Sequence, residues 1–212
     1  MCGVFGFISK GRRKLNLTTL QRIAVNTMSR GPHAFGFAWI DSKDRLRCFK
    51  QTGRITDHLG LLGMASDAKI LIGHCRFATQ GDPENNLNNH PHSVDGGWLV
   101  HNGMIPGYQR IIKRNELAPV TDCDSEVLGL LIETESGSLI ERCGKAAIET
   151  GTSPLVMLGI WTKPNRMVAV RRGNPLAIGS ERGVKYFASL PDCLPGKVTN
   201  FRDHSVEEFV SV

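Results

Sequence analysis

The pattern of hydrophobic and polar positions predicts strands first, then helices, then strands again. Short apolar runs bounded by turn residues predict early strands at residues 4–8, 36–40, 46–51, 70–77 and 97–101. Apolar positions at helical spacing predict helices over residues 17–29, 108–116, 124–135 and 139–149. The last third predicts strands at residues 155–161, 167–171, 176–179, 184–190 and, closing the pattern, 197–202. This order favours an α+β fold with antiparallel sheets over repeated βαβ units.

The 212 residues are expected to form one domain over residues 1–212, because no repeat, low-complexity segment or linker divides the chain. The longest apolar runs, LGLLI and PLVMLGIW, are far too short to span a membrane. The N-terminus also lacks the long apolar region of a signal peptide. We therefore expect a cytoplasmic protein with no membrane partner.

Charge and cysteine spacing exclude several function classes. The net charge of +6 comes from short basic groups that lie far apart and lack interleaved aromatic residues, so no nucleic-acid partner is expected. The six cysteines are single, with no C-x-x-C pair, so the spacing suggests neither a zinc site nor a redox pair. No metal and no cofactor are expected. Apart from the one at position 2, the cysteines are interpreted as small buried hydrophobes: Cys48, Cys75, Cys123, Cys143 and Cys193.

The first six residues, MCGVFG, place a cysteine next to the initiator methionine. If Met1 is removed, Cys2 carries both a thiol and a free α-amino group, whose pKa of about 7.7–8.0 suits a base at neutral pH. The predicted strand at residues 4–8 would hold Cys2 at the leading end of a buried strand. Chance remains the alternative, since short motifs often match without function.

Four polar loops supply further candidate chemistry. Arg30, in SRGPHAFG, is either a helix C-cap or a cation directed at a site. Arg76 opens the long loop RFATQGDPENNLNNHPH, which is either a surface excursion or a lid. Asn102 and Gly103, in LVHNGMI, pair an amide side chain with a glycine N–H, a combination suited to stabilising an oxyanion. Asp124, in TDCDSEVLGLL, is interpreted as a helix N-cap or a site carboxylate.

Taken in order, these blocks resemble one family. MCGVFG, RGPHAFG, GHCRFATQG, NNHPH, LVHNG, DSEV, RRGNPLAIG and YFASLP look like the class II glutamine amidotransferase domain of the N-terminal nucleophile hydrolases. The last two blocks are most similar to the glutaminase domains of glucosamine-6-phosphate synthases. The resemblance covers nearly the whole chain. It implies a four-layer αββα sandwich of two antiparallel sheets, with Cys2 at the start of a central strand.

The resemblance also implies a reaction and roles for the site residues. Cys2 would attack the side-chain amide of glutamine, release ammonia and leave a γ-glutamyl thioester that water hydrolyses to glutamate. Asn102 and Gly103 match the oxyanion hole, while Arg76 and Asp124 match the groups that bind the substrate α-carboxylate and α-ammonium.

Three further residues complete the expected site. Thr79 would add a hydrogen bond, and Phe77 lies in the loop that covers glutamine. Arg30 is counted with the catalytic group. Phe77 and Gln80 stand where the synthase has tryptophan and histidine, which leaves the ammonia acceptor open.

The expected partners are glutamine and a separate synthase subunit that consumes the ammonia. Three alternatives are kept: a stand-alone hydrolase of another γ-glutamyl compound, a non-catalytic glutamine-sensing module, and an excised fragment. The intact Cys2, Asn102 and Gly103 weigh against the sensing module.

Overall fold

The computed structural model describes residues 2–11 and 15–211, which form two antiparallel sheets. The larger sheet has seven strands in the order β11-β9-β10-β1-β4-β2-β3. Its strands are β1 (Gly3–Ser9), β2 (Ala34–Ile40), β3 (Leu46–Thr52), β4 (Ile70–Arg76), β9 (Ala177–Glu181), β10 (Val184–Ala188) and β11 (Lys197–Asn200). The strand that follows Cys2, β1, therefore lies in the middle of this sheet, between β10 and β4.

The smaller sheet has five strands in the order β12-β8-β7-β6-β5. They are β5 (His92–Val94), β6 (Gly97–Gly103), β7 (Leu155–Trp161), β8 (Arg166–Arg172) and β12 (Ser205–Val210). Strand β6 pairs with β7 along its whole length, so Asn102 faces Val156 and Gly103 faces Leu155 in the register. Asn102 and Gly103 are thus the last two residues of a regularly paired strand.

Helices cover the outer faces of the two sheets. Helix α1 (Leu17–Met28) and a 3₁₀ segment (Ile55–Ala65) pack on the larger sheet. Helices α3 (Asp124–Thr134) and α4 (Leu139–Glu149) pack on the smaller one, beside the short α2 (Tyr108–Arg114). Single 3₁₀ turns occur at Asn86–Asn88 and Pro191–Cys193.

Three apolar cores fill the spaces between the four layers. One lies between the larger sheet and α1, another between the smaller sheet and α3 with α4, and the third between the two sheets. The third core is built from inward residues such as Val4, Ile72, Val156 and Leu158. The predicted αββα sandwich is therefore confirmed.

Burial on both sides explains the strands that the hydrophobic pattern detected most easily. All seven residues of β1, β2, β4 and β7 are buried, so their sequences are nearly continuous apolar runs. Helix starts are also local in origin. The Asn16 side chain accepts a hydrogen bond from the Thr19 N–H at the start of α1, and Ser138 and Glu141 form a capping box at α4.

Three elements differ from the sequence-based prediction. The 3₁₀ segment Ile55–Ala65 and the three-residue strand β5 were not predicted. The prediction that residues 197–202 close the pattern was wrong, because β11 ends at Asn200 and β12 follows, paired with β8. Strand β12 is a partly exposed edge strand, so it lacks the apolar run by which the inner strands were recognised. Within the described residues, no helix is long and apolar enough to cross a membrane.

Candidate active site

Cys2 lies where the first strand of the larger sheet begins. In the register of β1 with β4, Gly3 faces Cys75, so Cys2 stands beside the end of β4. The Phe77 N–H donates to the Cys2 Sγ at 3.3 Å, and the thiol donates to the Phe77 carbonyl at 3.4 Å. Two contacts with the backbone of one residue thus hold the sulfur atom of the partly exposed Cys2 at the end of β4.

The thiol of Cys2 is electrostatically linked to two charged residues. Burial is the largest influence and raises its pKa, while the hydrogen bond from the Phe77 backbone lowers it. The Arg76 charge lowers the same pKa and the Asp124 charge raises it. Both charged residues therefore lie near the sulfur atom. Because burial dominates, the thiol is mainly protonated at neutral pH and needs a base to become a nucleophile.

Arg30 is placed against the backbone of Cys2. It follows the end of α1, and its Nε donates to the Cys2 carbonyl at 2.8 Å. Burial lowers the pKa of the Arg30 guanidinium, and the Cys2 side chain acts in the opposite direction. Of the two sequence interpretations, the structure favours a cation directed at the site.

The turn after α1 packs directly on the end of β4. A Cβ atom added to Gly31 would lie 2.4 Å from the Arg76 carbonyl carbon and 2.5 Å from the Phe77 nitrogen. The next turn residue, His33, accepts a hydrogen bond from the Ala78 N–H through Nδ1 at 3.0 Å. Its ring also contacts the Phe77 ring, with 4.8 Å between the centroids. His33, a residue of the RGPHAFG block, thus holds the backbone segment that follows Phe77, to which the Cys2 thiol is hydrogen-bonded.

Arg76 is buried and its guanidinium organises the following loop. Its Nη1 donates to Asn89 Oδ1 at 2.6 Å, and its Nη2 donates to the carbonyls of Gly81, at 2.9 Å, and Gln80. A guanidinium has five N–H donors, so three bonds leave two for a ligand. Asn89 also anchors the loop by donating to the Pro83 carbonyl at 2.8 Å.

Phe77 and Thr79 lie on the outer side of this loop. The Phe77 side chain is 41% exposed, and Thr79 is exposed without a side-chain hydrogen bond to any described residue. Neither side chain is held by the fold in the way that Arg76 is. Their predicted contacts with substrate stay predictions.

Asn102 and Gly103 end strand β6 of the smaller sheet. The Asn102 side chain is buried, and its Nδ2 has no hydrogen-bond acceptor among the described residues. Its backbone carbonyl accepts from the Asn174 Nδ2 at 2.9 Å. A Cβ on Gly103 would lie 2.5 Å from His101 Nε2, so a larger residue there would displace that ring. Asn102 is thus a buried amide donor without a partner in the described part of the chain, the kind of group that an oxyanion site requires.

Asp124 links the smaller sheet to helix α3. Its prediction as an N-cap was wrong, because Cys123 occupies the cap position and Asp124 is the first helical residue. The carboxylate Oδ2 accepts instead from the Ile105 N–H at 2.7 Å, across the loop after β6. Ser125 connects this carboxylate to His101, with 2.9 Å between Ser125 Oγ and His101 Nδ1.

Four buried histidines lie beneath the site. His74 and His90 stack with 3.9 Å between ring centroids, and His90 meets His92 edge to face at 4.6 Å. His74 Nε2 contacts the His101 carbonyl at 3.1 Å, which joins the two sheets. Burial lowers the pKa of all four, to about 3 for His74 and about 4 for His101, so the rings are neutral at pH 7.

The sequence analysis named the main candidate site residues but not the residues that hold them in position. The structure brings Cys2, Arg30 and Arg76 together around the end of β4, and the charge of Asp124 acts on the same thiol. The supporting residues His33 and Asn89 were missed as such. The family motifs RGPHAFG and NNHPH contain both residues, which was the only signal for them.

Comparisons with known proteins identify relatives along most of the chain. No family model matches the sequence. The chain is 31% identical over 205 residues to the glutamine–fructose-6-phosphate aminotransferase (isomerizing) of Aquifex aeolicus, covering 92% of this chain and 33% of that protein. The enzyme of the same name from Symbiobacterium thermophilum is 32% identical over 206 residues, covering 92% and 32%. The chain thus spans about a third of the length of these relatives.

Solved structures show the same fold. The glutamine phosphoribosylpyrophosphate amidotransferase of B. subtilis, complexed with ADP and GMP, superposes with a TM-score of 0.74 at 20% identity, covering 99% of this chain and 49% of that one. A glutamine aminotransferase class-II domain protein from Silicibacter pomeroyi gives a TM-score of 0.66 at 15% identity, covering 98% and 94%.

The sequence relatives cover nine tenths of the chain, and both solved structures share its two-sheet architecture. Phe77, Arg76 and Asp124, which belong to two of the sequence motifs, also lie near the Cys2 thiol in the structure. The chain is therefore a relative of the glutamine–fructose-6-phosphate aminotransferases over about a third of their length, and it has the N-terminal nucleophile hydrolase fold of the solved amidotransferases.

Proposed function

We propose that this chain hydrolyses the side-chain amide of glutamine to glutamate and ammonia. The observation that carries the proposal is the set of groups around Cys2: a backbone N–H on its sulfur, a cation and an anion that both act on its thiol. Asn102 adds a buried amide donor without an acceptor among the described residues. These are the groups that an acyl transfer from an amino-acid amide requires.

The proposed reaction uses the N-terminal residue as nucleophile and base. After removal of Met1, the α-amine of Cys2 takes the thiol proton as the sulfur attacks the amide carbon. The Asn102 amide and the Gly103 N–H stabilise the oxyanion, and the leaving nitrogen takes up the proton and departs as ammonia. Water then attacks the thioester, with the amine again as base, and glutamate is released.

The opposite end of glutamine carries two charges that the site can match. We assign the substrate α-carboxylate to Arg76, whose guanidinium keeps two N–H donors beyond its three loop bonds. We assign the α-ammonium to Asp124, whose buried carboxylate is held by the Ile105 N–H. Phe77 and Thr79 would close over the bound amino acid from the exposed loop. We assign Arg30 to the catalytic group through the hydrogen bond from its Nε to the Cys2 carbonyl.

The proposal extends to location, domain and partner. All six cysteines are free thiols, which suits the reducing cytoplasm. We propose one domain over residues 1–212 and a synthase partner that receives the ammonia. The sequence relatives, which are named glutamine–fructose-6-phosphate aminotransferases, support a partner of this kind.

One experiment tests the reaction directly. Mass spectrometry of the intact protein determines whether the chain begins at Cys2, and an ammonia-release and glutamate assay follows with glutamine as substrate. We expect a mature N-terminus at Cys2 and release of one ammonia per glutamate. A chain that begins at Cys2 and releases neither product from glutamine or other γ-glutamyl amides would refute the catalytic proposal. Activity only on another γ-glutamyl amide would support the alternative hydrolase instead.

A further inference from the structure

Two histidines and a cysteine meet under the loop that holds Arg76. We call this group the inner His–Cys cluster, formed by His90, His92 and Cys123. One donor atom from each residue lies within 4.8 Å of the other two. All three residues are buried, with 3%, 3% and 4% of their surface exposed. The cluster joins the end of the loop before β5 to the residue that caps α3.

Three of the four histidine nitrogens in the cluster have no hydrogen-bond partner among the described residues. His90 Nδ1, His90 Nε2 and His92 Nε2 are fully buried and form no hydrogen bond with any described residue. Buried polar atoms in native proteins are nearly always satisfied, so unpartnered nitrogens call for an unseen ligand. Water or a metal ion would satisfy them, and the neighbouring sulfur atom favours the metal.

We propose that the inner His–Cys cluster binds one zinc ion. Two imidazole nitrogens and a thiolate are a donor set that Zn²⁺ prefers, and water would take the fourth position. In a tetrahedral zinc site, donors at about 2.0–2.3 Å from the metal stand roughly 3.3–3.6 Å apart. The observed spacing therefore needs a closure of about an ångström, which lies within the reach of side-chain rotation.

Zinc binding at this cluster releases one proton, from the Cys123 thiol. The two imidazoles are neutral and supply lone pairs as they stand, while the Cys123 thiol must release its proton to solvent as the Zn–S bond forms. The local charges are mixed. Asp124, next to the thiol, favours the cation, whereas the charges of Arg76 and Lys50 that act on the cluster oppose it.

A metal at this point would hold two parts of the candidate active site together. His90 directly follows Asn89, which accepts a hydrogen bond from Arg76, and Cys123 directly precedes Asp124. Zinc would therefore fix the two residues assigned to the head of the substrate without touching the substrate itself. Its expected role is structural.

The test uses Cys2→Ala protein, because the thiol of Cys2 would otherwise bind zinc on its own. The protein is produced in medium with added Zn²⁺ and dialysed against a weak chelator, and its metal content is measured. We expect about one zinc per chain. Adding Zn²⁺ to metal-free protein at a hundredfold excess over its Kd should raise the Tm by about 5–10 °C.

Matched variants locate the site. In the same background, Cys123→Ser and His92→Gln should each lose most of the bound zinc, whereas Cys143→Ser, which changes another buried cysteine on α4, should keep it. Co²⁺ in place of zinc should give the charge-transfer band of a cobalt–thiolate bond, absent in Cys123→Ser. Cys2→Ala protein that retains no zinc and shows no such band would overturn the proposal, whatever the variants do. Zinc held equally by the cluster variants would also overturn it.

Discussion

The two sheets contribute to the candidate active site in different ways. The larger sheet supplies Cys2 and Arg76 from the neighbouring strand ends of β1 and β4, and both side chains are hydrogen-bonded to protein backbone. The smaller sheet supplies Asn102, whose side-chain nitrogen lacks an acceptor among the residues described. One sheet therefore fixes the nucleophile and the cation, and the other presents a donor ready for a ligand. We expect the larger sheet to provide the nucleophile and to bind the substrate, and the Asn102 donor of the smaller sheet to control the rate of the chemical step.

The largest effect is expected at the nucleophile of the larger sheet. Cys2→Ser should lower glutamine hydrolysis by at least about 10³-fold, because a serine hydroxyl is a far poorer nucleophile at neutral pH. The matched control is Cys193→Ser, which changes another buried cysteine and should keep activity. The measurement is ammonia release at saturating glutamine.

Extra residues before Cys2 separate the thiol from its proposed base. A form with a permanent N-terminal extension keeps the sulfur but has an amide in place of the amine, so we expect it to be as inactive as Cys2→Ser. Full activity in the extended form would show that another base activates the thiol. The proposed mechanism would then be abandoned.

The next effect belongs to the smaller sheet. Asn102→Ala should lower kcat by about 10²–10³-fold with little change in KM, because its amide acts on the oxyanion and not on bound glutamine. The control is Asn174→Ala, which removes the hydrogen bonds from Asn174 Nδ2 to the Asn102 and Pro154 carbonyls but keeps the Asn102 amide, and it should cost much less. A rise in KM with unchanged kcat for Asn102→Ala would place this residue in substrate binding instead.

The cation of the larger sheet is expected to act on binding. Arg76→Ala should raise the KM for glutamine by about 10- to 150-fold, the loss expected for one charged hydrogen bond. Arg76 also holds the loop over residues 80–89 through its hydrogen bonds. Asn89→Ala loosens this loop but keeps the Arg76 side chain, so it should raise the KM for glutamine less than Arg76→Ala does. The exposed Arg110→Ala serves as the control. An unchanged KM in Arg76→Ala would remove this residue from the site.

The same division explains what the sequence could predict. Strands such as β1 and β4 are buried on both faces, so their apolar runs were visible, as was the helical spacing of α1. The partly exposed β12 and the three-residue β5 carry no comparable run. Candidate site residues, such as Cys2 and Asn102, were predicted from the motifs that surround them, without any knowledge of the fold.

Contacts between distant residues could not be predicted in this way. His33 meets Ala78 and Arg76 meets Asn89 only because the ends of β2 and β4 and the loop before β5 fold together. The inner His–Cys cluster is a stronger case. His90 and His92 are separated from Cys123 by about thirty residues without a recognised zinc spacing, and only the packing of α3 against β5 brings them together.

The smallest expected effect concerns the pKa of the Cys2 thiol, on which residues from the two sheets act in opposite directions. Arg76, from the larger sheet, lowers the pKa of the Cys2 thiol, and Asp124, packed on the smaller one, raises it. Burial outweighs both and raises the pKa above its ordinary value, so thiolate is scarce at pH 7 and its fraction grows as pH increases.

The experiment measures alkylation of Cys2 by iodoacetamide, followed by peptide mass spectrometry, with N-termini of the same form in every variant. The rate should increase about tenfold per pH unit from pH 7 to 8. Asp124→Asn should increase the rate at pH 7 and Arg76→Ala should decrease it, each by less than about tenfold, equivalent to one pKa unit. Changes of the same sign in the two variants, or a rate that is already constant below pH 8, would contradict the opposing action of the two sheets on this thiol.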